Sequence, residues 1–232
     1  MEYRDIIETI SQQRTSDLIC INCGRIPYEE ALTLQSSLQR QRMEDTIPDT
    51  ILILEHPPVI TLGIRNEHNK LLEDRDMLHK KGIHVVQIHR GGGSTAHNPG
   101  QLVVYPIINL TKRRLRVVPY IRFLEALGIE LSAHYGVKAY RRNRYPGVWV
   151  GGKKIGSIGV QITKGVTMHG IAFNVSNDLD IFSKIIPCGI EGVRMTSLTE
   201  ETGKKIAMTE IYDFTEMYCR DFFSKNDRSD DK

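Results

Sequence analysis

Cysteine is scarce in this 232-residue chain, with only Cys20, Cys23, Cys188 and Cys219 scattered along it. Their number and scatter do not build a disulfide framework, so a reducing, cytoplasmic setting is expected, in which a free thiol can do chemistry. Long apolar runs are also missing. No stretch approaches the roughly 20 apolar residues of a spanning helix, and no early apolar run marks a secretory signal, so no membrane partner is expected. Glu2, Asp5 and Glu8 argue against an import presequence. Neither sign of charge dominates: the formal net charge of +3 is too small to demand nucleic acid or a membrane surface. No internal repeat, low-complexity linker or composition break divides the chain. With 40% hydrophobic residues it can bury one good core.

The patterning predicts a short helix over 2–14, with Tyr3, Ile6, Ile7 and Ile10 on one side. Residues 18–23 read as a strand, and Pro27 opens a helix to about Met43. Strands are expected at 51–55, 59–63 and 84–89, with a long apolar central strand at 101–110. A helix from Pro119 to about Tyr135 should stop at Gly136. Strands with Gly and Lys turns then follow through 147–175, suggesting hairpins. A last helix from Thr209 to about Phe223 puts Ile211, Phe214, Tyr218 and Phe222 on one face. The expected fold class is α/β, an α+β mixed sheet with helices in a single domain. Its expected parts are an N-terminal helical extension (1–17), a catalytic domain (18–224) and a frayed polar tail (225–232).

Three stretches could carry chemistry. The first is Arg90-Gly91-Gly92-Gly93-Ser94-Thr95-Ala96-His97-Asn98-Pro99-Gly100, a tight loop at a strand end where missing β-carbons let a ligand approach the backbone. The second, Gly147 to Lys154, nearly fits a nucleotide P-loop. It fails because Lys154 stands where Ser or Thr is needed and because Val148-Trp149-Val150 is strand-like. What remains is a hairpin tip delivering two lysines. The third is Ile186-Pro187-Cys188-Gly189-Ile190, which reads as a buried structural thiol or as a nucleophile with accessible backbone N–H groups for an oxyanion.

Other residues carry less. Cys20 and Cys23 lack the further ligands zinc needs, and their odd spacing sends them to opposite faces of a strand, so no metal is expected. Cys219 reads as structural. His169 reads equally as a core histidine or a site-lining one. The basic clusters Lys112–Arg116 and Arg141–Arg144 read as solvated surface or as docking points for an acidic partner.

Taken in order, Arg90-Gly-Gly, Thr95, His97 and Pro99-Gly-Gln-Leu, then Gly147-Val-Trp-Val, Lys154-Ile and Ile158-Gly, then Met168-His-Gly, Ala172 and Asn174, then Pro187-Cys-Gly-Ile resemble the lipoyl(octanoyl) transferases over roughly residues 18–222. The resemblance implies the fold of biotin and lipoate protein ligases. It implies transfer of octanoyl from octanoyl-acyl carrier protein to a lysine of lipoyl domains of 2-oxoacid dehydrogenases or of glycine-cleavage H protein, without a cofactor. Cys188 falls on the acyl-thioester nucleophile, and Lys154, rather than Lys153, on the lysine that lowers its pKa. Arg90 through His97, Ser157, Ile158, Gly159, His169, Gly170, Ile171 and Ala172 fall on segments lining the substrate site. Ala96 stands where the family mostly has an aromatic residue and Asn98 where it mostly has glycine. Ala96 is therefore expected to reshape the acyl slot.

That chemistry is physically coherent. A thiol of pKa about 8.5 is only a few per cent ionised at neutral pH, and a neighbouring ammonium raises that fraction. Burying about seven methylenes contributes on the order of 5 kcal/mol, yet one methylene discriminates weakly, so chain length calls for a steric stop. Two rival readings are an ATP-dependent lipoate or biotin ligase, which needs no acyl-cysteine, and a non-catalytic carrier-binding module.

Overall fold

The computed structural model describes residues 3–13 and 15–227. Helix α1 (Tyr3–Gln12) precedes β1 (Leu18–Arg25), α2 (Tyr28–Met43), β2 (Asp49–Glu55) and β3 (Val59–Leu62). There follow α3 (Arg75–Lys80), β4 (His84–Gln87), β5 (Thr95–His97), β6 (Gln101–Ile107) and α4 (Val117–His134). Strands β7 (Tyr140–Arg142), β8 (Tyr145–Val150), β9 (Lys153–Thr163) and β10 (Val166–Asn174) lead to α5 (Leu198–Thr202) and α6 (Met208–Asp227). Among the described residues no helix is long and apolar enough to cross a membrane.

Seven strands form one mixed sheet in the order β1-β2-β6-β10-β9-β8-β7. Only the β1–β2 pair is parallel; the others are antiparallel. Helices cover both faces, which is why the central strands are apolar at consecutive positions. Ile51, Ile53, Leu102, Val104, Ile171 and Phe173 point toward α4 and α6. Leu52, Leu54, Val103, Tyr105 and Ala172, one residue out of phase, point toward α1 and α2. The predicted hairpins β8–β9 and β9–β10 form. The stop at Gly136 also forms: the N–H groups of Gly136 and Val137 bond Ala133 and Ser132, capping α4.

Several expectations need correction. The two strands expected on either side of Pro57–Pro58 do form, but in different sheets: β2 joins the large sheet, while β3 joins a second sheet of order β4-β3-β5. On α6 the deepest stripe is Ile211, Thr215, Cys219 and Phe223, with Phe214, Tyr218 and Phe222 packing beside it. That helix runs to Asp227, so residues 225–227 are helical and not part of a frayed tail, while 228–232 lie outside the described residues. The predicted N-terminal helix spans Tyr3–Gln12; Met1, Glu2 and Arg14 lie outside the described residues. Cys20 and Cys23 do pack on opposite faces of β1, and burial pushes both thiols up to about 12.

One irregularity in the sheet serves the site. Pro106 has no N–H to offer β10. Regular β6–β10 pairing stops at Val104–Ile171. It resumes at Thr167, whose hydroxyl donates to Pro106 O and accepts from Ile108 N–H. Between these points β10 keeps its register with β9 while His169 takes a left-handed backbone (φ 60°). A β-carbon on Gly170 would lie 2.2 Å from Val104 O.

Candidate active site

Lys154 opens β9 and is 2% exposed. Its backbone is held between Arg194 O and Thr196 N–H, and its Nζ lies over the Trp149 ring. Lys153 turns the other way and pairs with Glu201. Lys154 Nζ reaches Cys188 Sγ at 3.2 Å. Cys188 sits in a short 3-10 turn (Pro187–Gly189) with left-handed backbone, φ 57°. Ser94 clips this turn in place: its carbonyl accepts from Cys188 N–H at 2.8 Å and its hydroxyl donates to Ile186 O at 2.8 Å. Burial by itself pushes the Cys188 thiol up. The Lys154 ammonium, through charge and hydrogen bond, and then Arg90 outweigh it, and the thiol ends below its ordinary value.

The thiol stands where two cavities meet. An inner pocket is walled mainly by buried residues, among them Tyr28, Thr95, His97, Tyr105, His169 and Ala172. An outer groove runs past Arg65, His68, Arg144, Tyr145 and Glu191. Only Gly92, Ile158, Gly159 and Cys188 belong to both. Arg90 is 7% exposed; its guanidinium holds Thr61 O, the Thr61 hydroxyl and Gly91 O. Rings stack beside it: Tyr28 on His97, His56 edge-on to His97, and Tyr105 edge-on to His169. The histidines are neutral. Burial lowers His56 to about 4, and burial followed by the Arg90 charge lowers His169 to about 3. Gln101 donates to Ala96 O and Asn174 Oδ1, so its carbonyl faces His97 Nδ1 at 2.7 Å and fixes the proton there.

The inner pocket gathers Arg90, Gly92, Thr95, His97, Ser157, Ile158, Gly159, His169, Gly170, Ile171 and Ala172 around Cys188, all of them expected from the sequence. Four expected residues are elsewhere. Gly91 borders the outer groove. Gly93 provides a close approach, since a β-carbon there would lie 2.3 Å from His68 O. Ser94 holds the cysteine turn. Ala96 faces away, fully buried with Ile60, Leu62, Leu78 and Phe182, because alternate residues of β5 point to opposite sides. Ala96 therefore does not shape the inner pocket. Asn98 likewise tacks loop to loop, donating to Asp178 O and accepting from Asn177.

The expected oxyanion donors are also corrected. The N–H groups of Cys188, Gly189 and Ile190 are all taken, by Ser94, Ile186 and Pro187 carbonyls. The buried hydroxyl of Ser157 makes no hydrogen bond of ordinary geometry, yet lies near enough to the sulfur to favour the thiolate. Sequence reasoning missed Tyr28 and Tyr105, which reach the pocket from α2 and β6. No local motif marks either one. The basic clusters are partly structural: Arg113 joins Arg42 on buried Asp49, and Arg141 joins Arg122 on Glu125.

The family described as lipoyl protein ligase A/B catalytic domain matches residues 27–219. An octanoyltransferase of Syntrophobacter fumaroxidans is 39% identical over 206 residues, covering 89% of this chain and 90% of that one. An octanoyltransferase of Desulfotalea psychrophila is 48% identical over 181 residues, covering 77% and 81%. Among solved structures, a bi-partite lipoate protein ligase of Thermoplasma acidophilum superposes with a TM-score of 0.61 at 18% identity, covering 91% and 83%, a likeness of fold alone. With a paired thiol and lysine between two cavities, and with relatives this similar along most of its length, the chain belongs to the lipoyl protein ligase A/B catalytic domain family and is an acyltransferase of the octanoyltransferase kind.

Proposed function

We propose that this enzyme takes octanoyl from octanoyl-acyl carrier protein as a thioester on Cys188 and passes it to a lysine ε-amine of a lipoyl domain of a 2-oxoacid dehydrogenase or of glycine-cleavage H protein, in the cytoplasm. The observation that carries this reading is the 3.2 Å contact between Lys154 Nζ and Cys188 Sγ at the junction of the two cavities.

The Cys188 thiolate attacks the donor carbonyl, and the carrier's sulfur leaves with a proton from the Lys154 ammonium. Ser157 donates to the oxyanion, a role supported by its buried hydroxyl having no hydrogen-bond partner among the described residues. The acyl chain lies in the inner pocket, against Ile171 and Ala172 and the rings of Tyr28 and Tyr105. In the second half-reaction the acceptor amine attacks the acyl-cysteine. Neutral Lys154 takes the amine's proton, and the Cys188 thiolate leaves, restoring the starting pair. A thioester is activated enough for amide formation to run without ATP, which separates this reading from the ligases that share the fold.

Intact-mass spectrometry after mixing with octanoyl-acyl carrier protein, without ATP, tests it. An octanoyl adduct that is absent in Cys188→Ser and that disappears on adding a lipoyl domain is the expected result. Absence of any adduct on folded protein, or strict dependence on ATP, would overturn it.

A further inference from the structure

We propose that the outer groove seats the phosphodiester of a phosphopantetheine-type thiol arm, held by Arg65 and Arg144. The inference rests on the acyl-thioester reading above. A thioester has two halves joined at one carbonyl–sulfur bond. With its acyl half in the inner pocket and its carbonyl at Cys188, the sulfur's other substituent must lie in the outer groove, because the two cavities share only the four residues at their junction.

The groove's chemistry suits such an arm. Ile121, Tyr145, Pro146, Ile158, Val160 and Ile190 give it apolar walls. Its charges are unevenly committed. Lys154 is engaged by the thiol and Glu191 by Lys70 at 3.1 Å. Arg65 and Arg144 are exposed, and neither guanidinium has a hydrogen bond or ion pair among the described residues. Arg113, Arg122 and Arg141, by contrast, are spent on Asp49 and Glu125. The two uncommitted guanidinium groups come from separate segments, the loop after β3 and the β7–β8 turn. A phosphodiester offers one negative charge and several acceptor oxygens, the group a guanidinium fork binds best.

The test compares octanoyl-phosphopantetheine with octanoyl-pantetheine, which differ only in the phosphate. The rate of Cys188 acylation is read by intact mass in the whole protein and in the double variant Arg65→Ala, Arg144→Ala. At low salt the wild type should favour the phosphorylated donor by roughly ten-fold in kcat/KM, a preference that added salt weakens. The double variant should bring the preference to within about two-fold while leaving the unphosphorylated donor's rate unchanged. Equal rates on both donors in wild type, or a preference that survives in the variant, would overturn the inference. So would a loss confined to the second half-reaction, which would assign these arginines to the acceptor protein. If neither donor acylates wild-type Cys188, octanoyl-acyl carrier protein decides: no acylation from it either brings down the acyl-thioester reading and this inference with it, while acylation from the carrier protein alone overturns this inference only. Acylation without phosphate preference defeats this inference alone.

Discussion

Lys154 and Cys188 form one titrating unit, so their substitutions should be read through the thiol's ionisation. Burial raises the thiol, and it lies below its ordinary value because Lys154, then Arg90 and Ser157, outweigh that burial. A depressed thiol pKa means that reactivity is held above the depressed value and lost as pH falls through it. Removing the ammonium in Lys154→Met leaves burial in command and moves that limb to higher pH. Iodoacetamide alkylation of Cys188 at neutral pH should slow at least about ten-fold in Lys154→Met, with the profile shifted alkaline. Lys154→Arg, which keeps a charge, should retain part of the depression. An unshifted profile in Lys154→Met would remove the lysine's role in ionising the thiol.

Strand β5 shows why spacing along an element matters more than proximity in sequence. Thr95 and His97 face the inner pocket, and Ala96 between them packs on Ile60 and Phe182. Ala96→Tyr should therefore leave the octanoyl-to-decanoyl donor ratio unchanged. Forcing a ring into a fully buried site should cost about 1–3 kcal/mol in urea unfolding. A changed donor ratio at unchanged stability would place Ala96 in the acyl pocket after all. Elements also decide the fate of charge. Arg113, in a cluster that reads from sequence as solvated surface or as a docking point, is tied to Asp49, itself 2% exposed, so reversing its charge would disturb the junction of β2 and α2 and not report on docking alone.

Across the whole molecule, the neutral histidines couple the pocket to acid stability. His56 bridges Ile26 O and the Tyr105 hydroxyl, and burial lowers it from 6.5 to about 4. Unfolded chain binds a proton there first. The stability present above about pH 6.5 is thus lost progressively as pH falls toward 4, by an amount on the order of 3 kcal/mol. Urea midpoints measured across that window should fall, and the slope should flatten in His56→Gln. An unchanged slope in the variant would show that other groups dominate acid unfolding.

The sequence by itself determined most of the elements, the two-faced burial of the central strands, the opposite faces of Cys20 and Cys23, and the ordered segments around the reactive pair. These are properties of neighbours along the chain: a period of two or 3.6 residues, a proline that opens a helix, a glycine that ends one. Only the tertiary structure decided that Ala96 turns away and that the N–H groups around Cys188 are already spent. It alone added Tyr28 and Tyr105 to the pocket that holds Arg90, Ser157 and Cys188. The physical reason is separation: those residues lie on α2, β6, β9 and two loops, and no local pattern states how elements so far apart in the chain will pack.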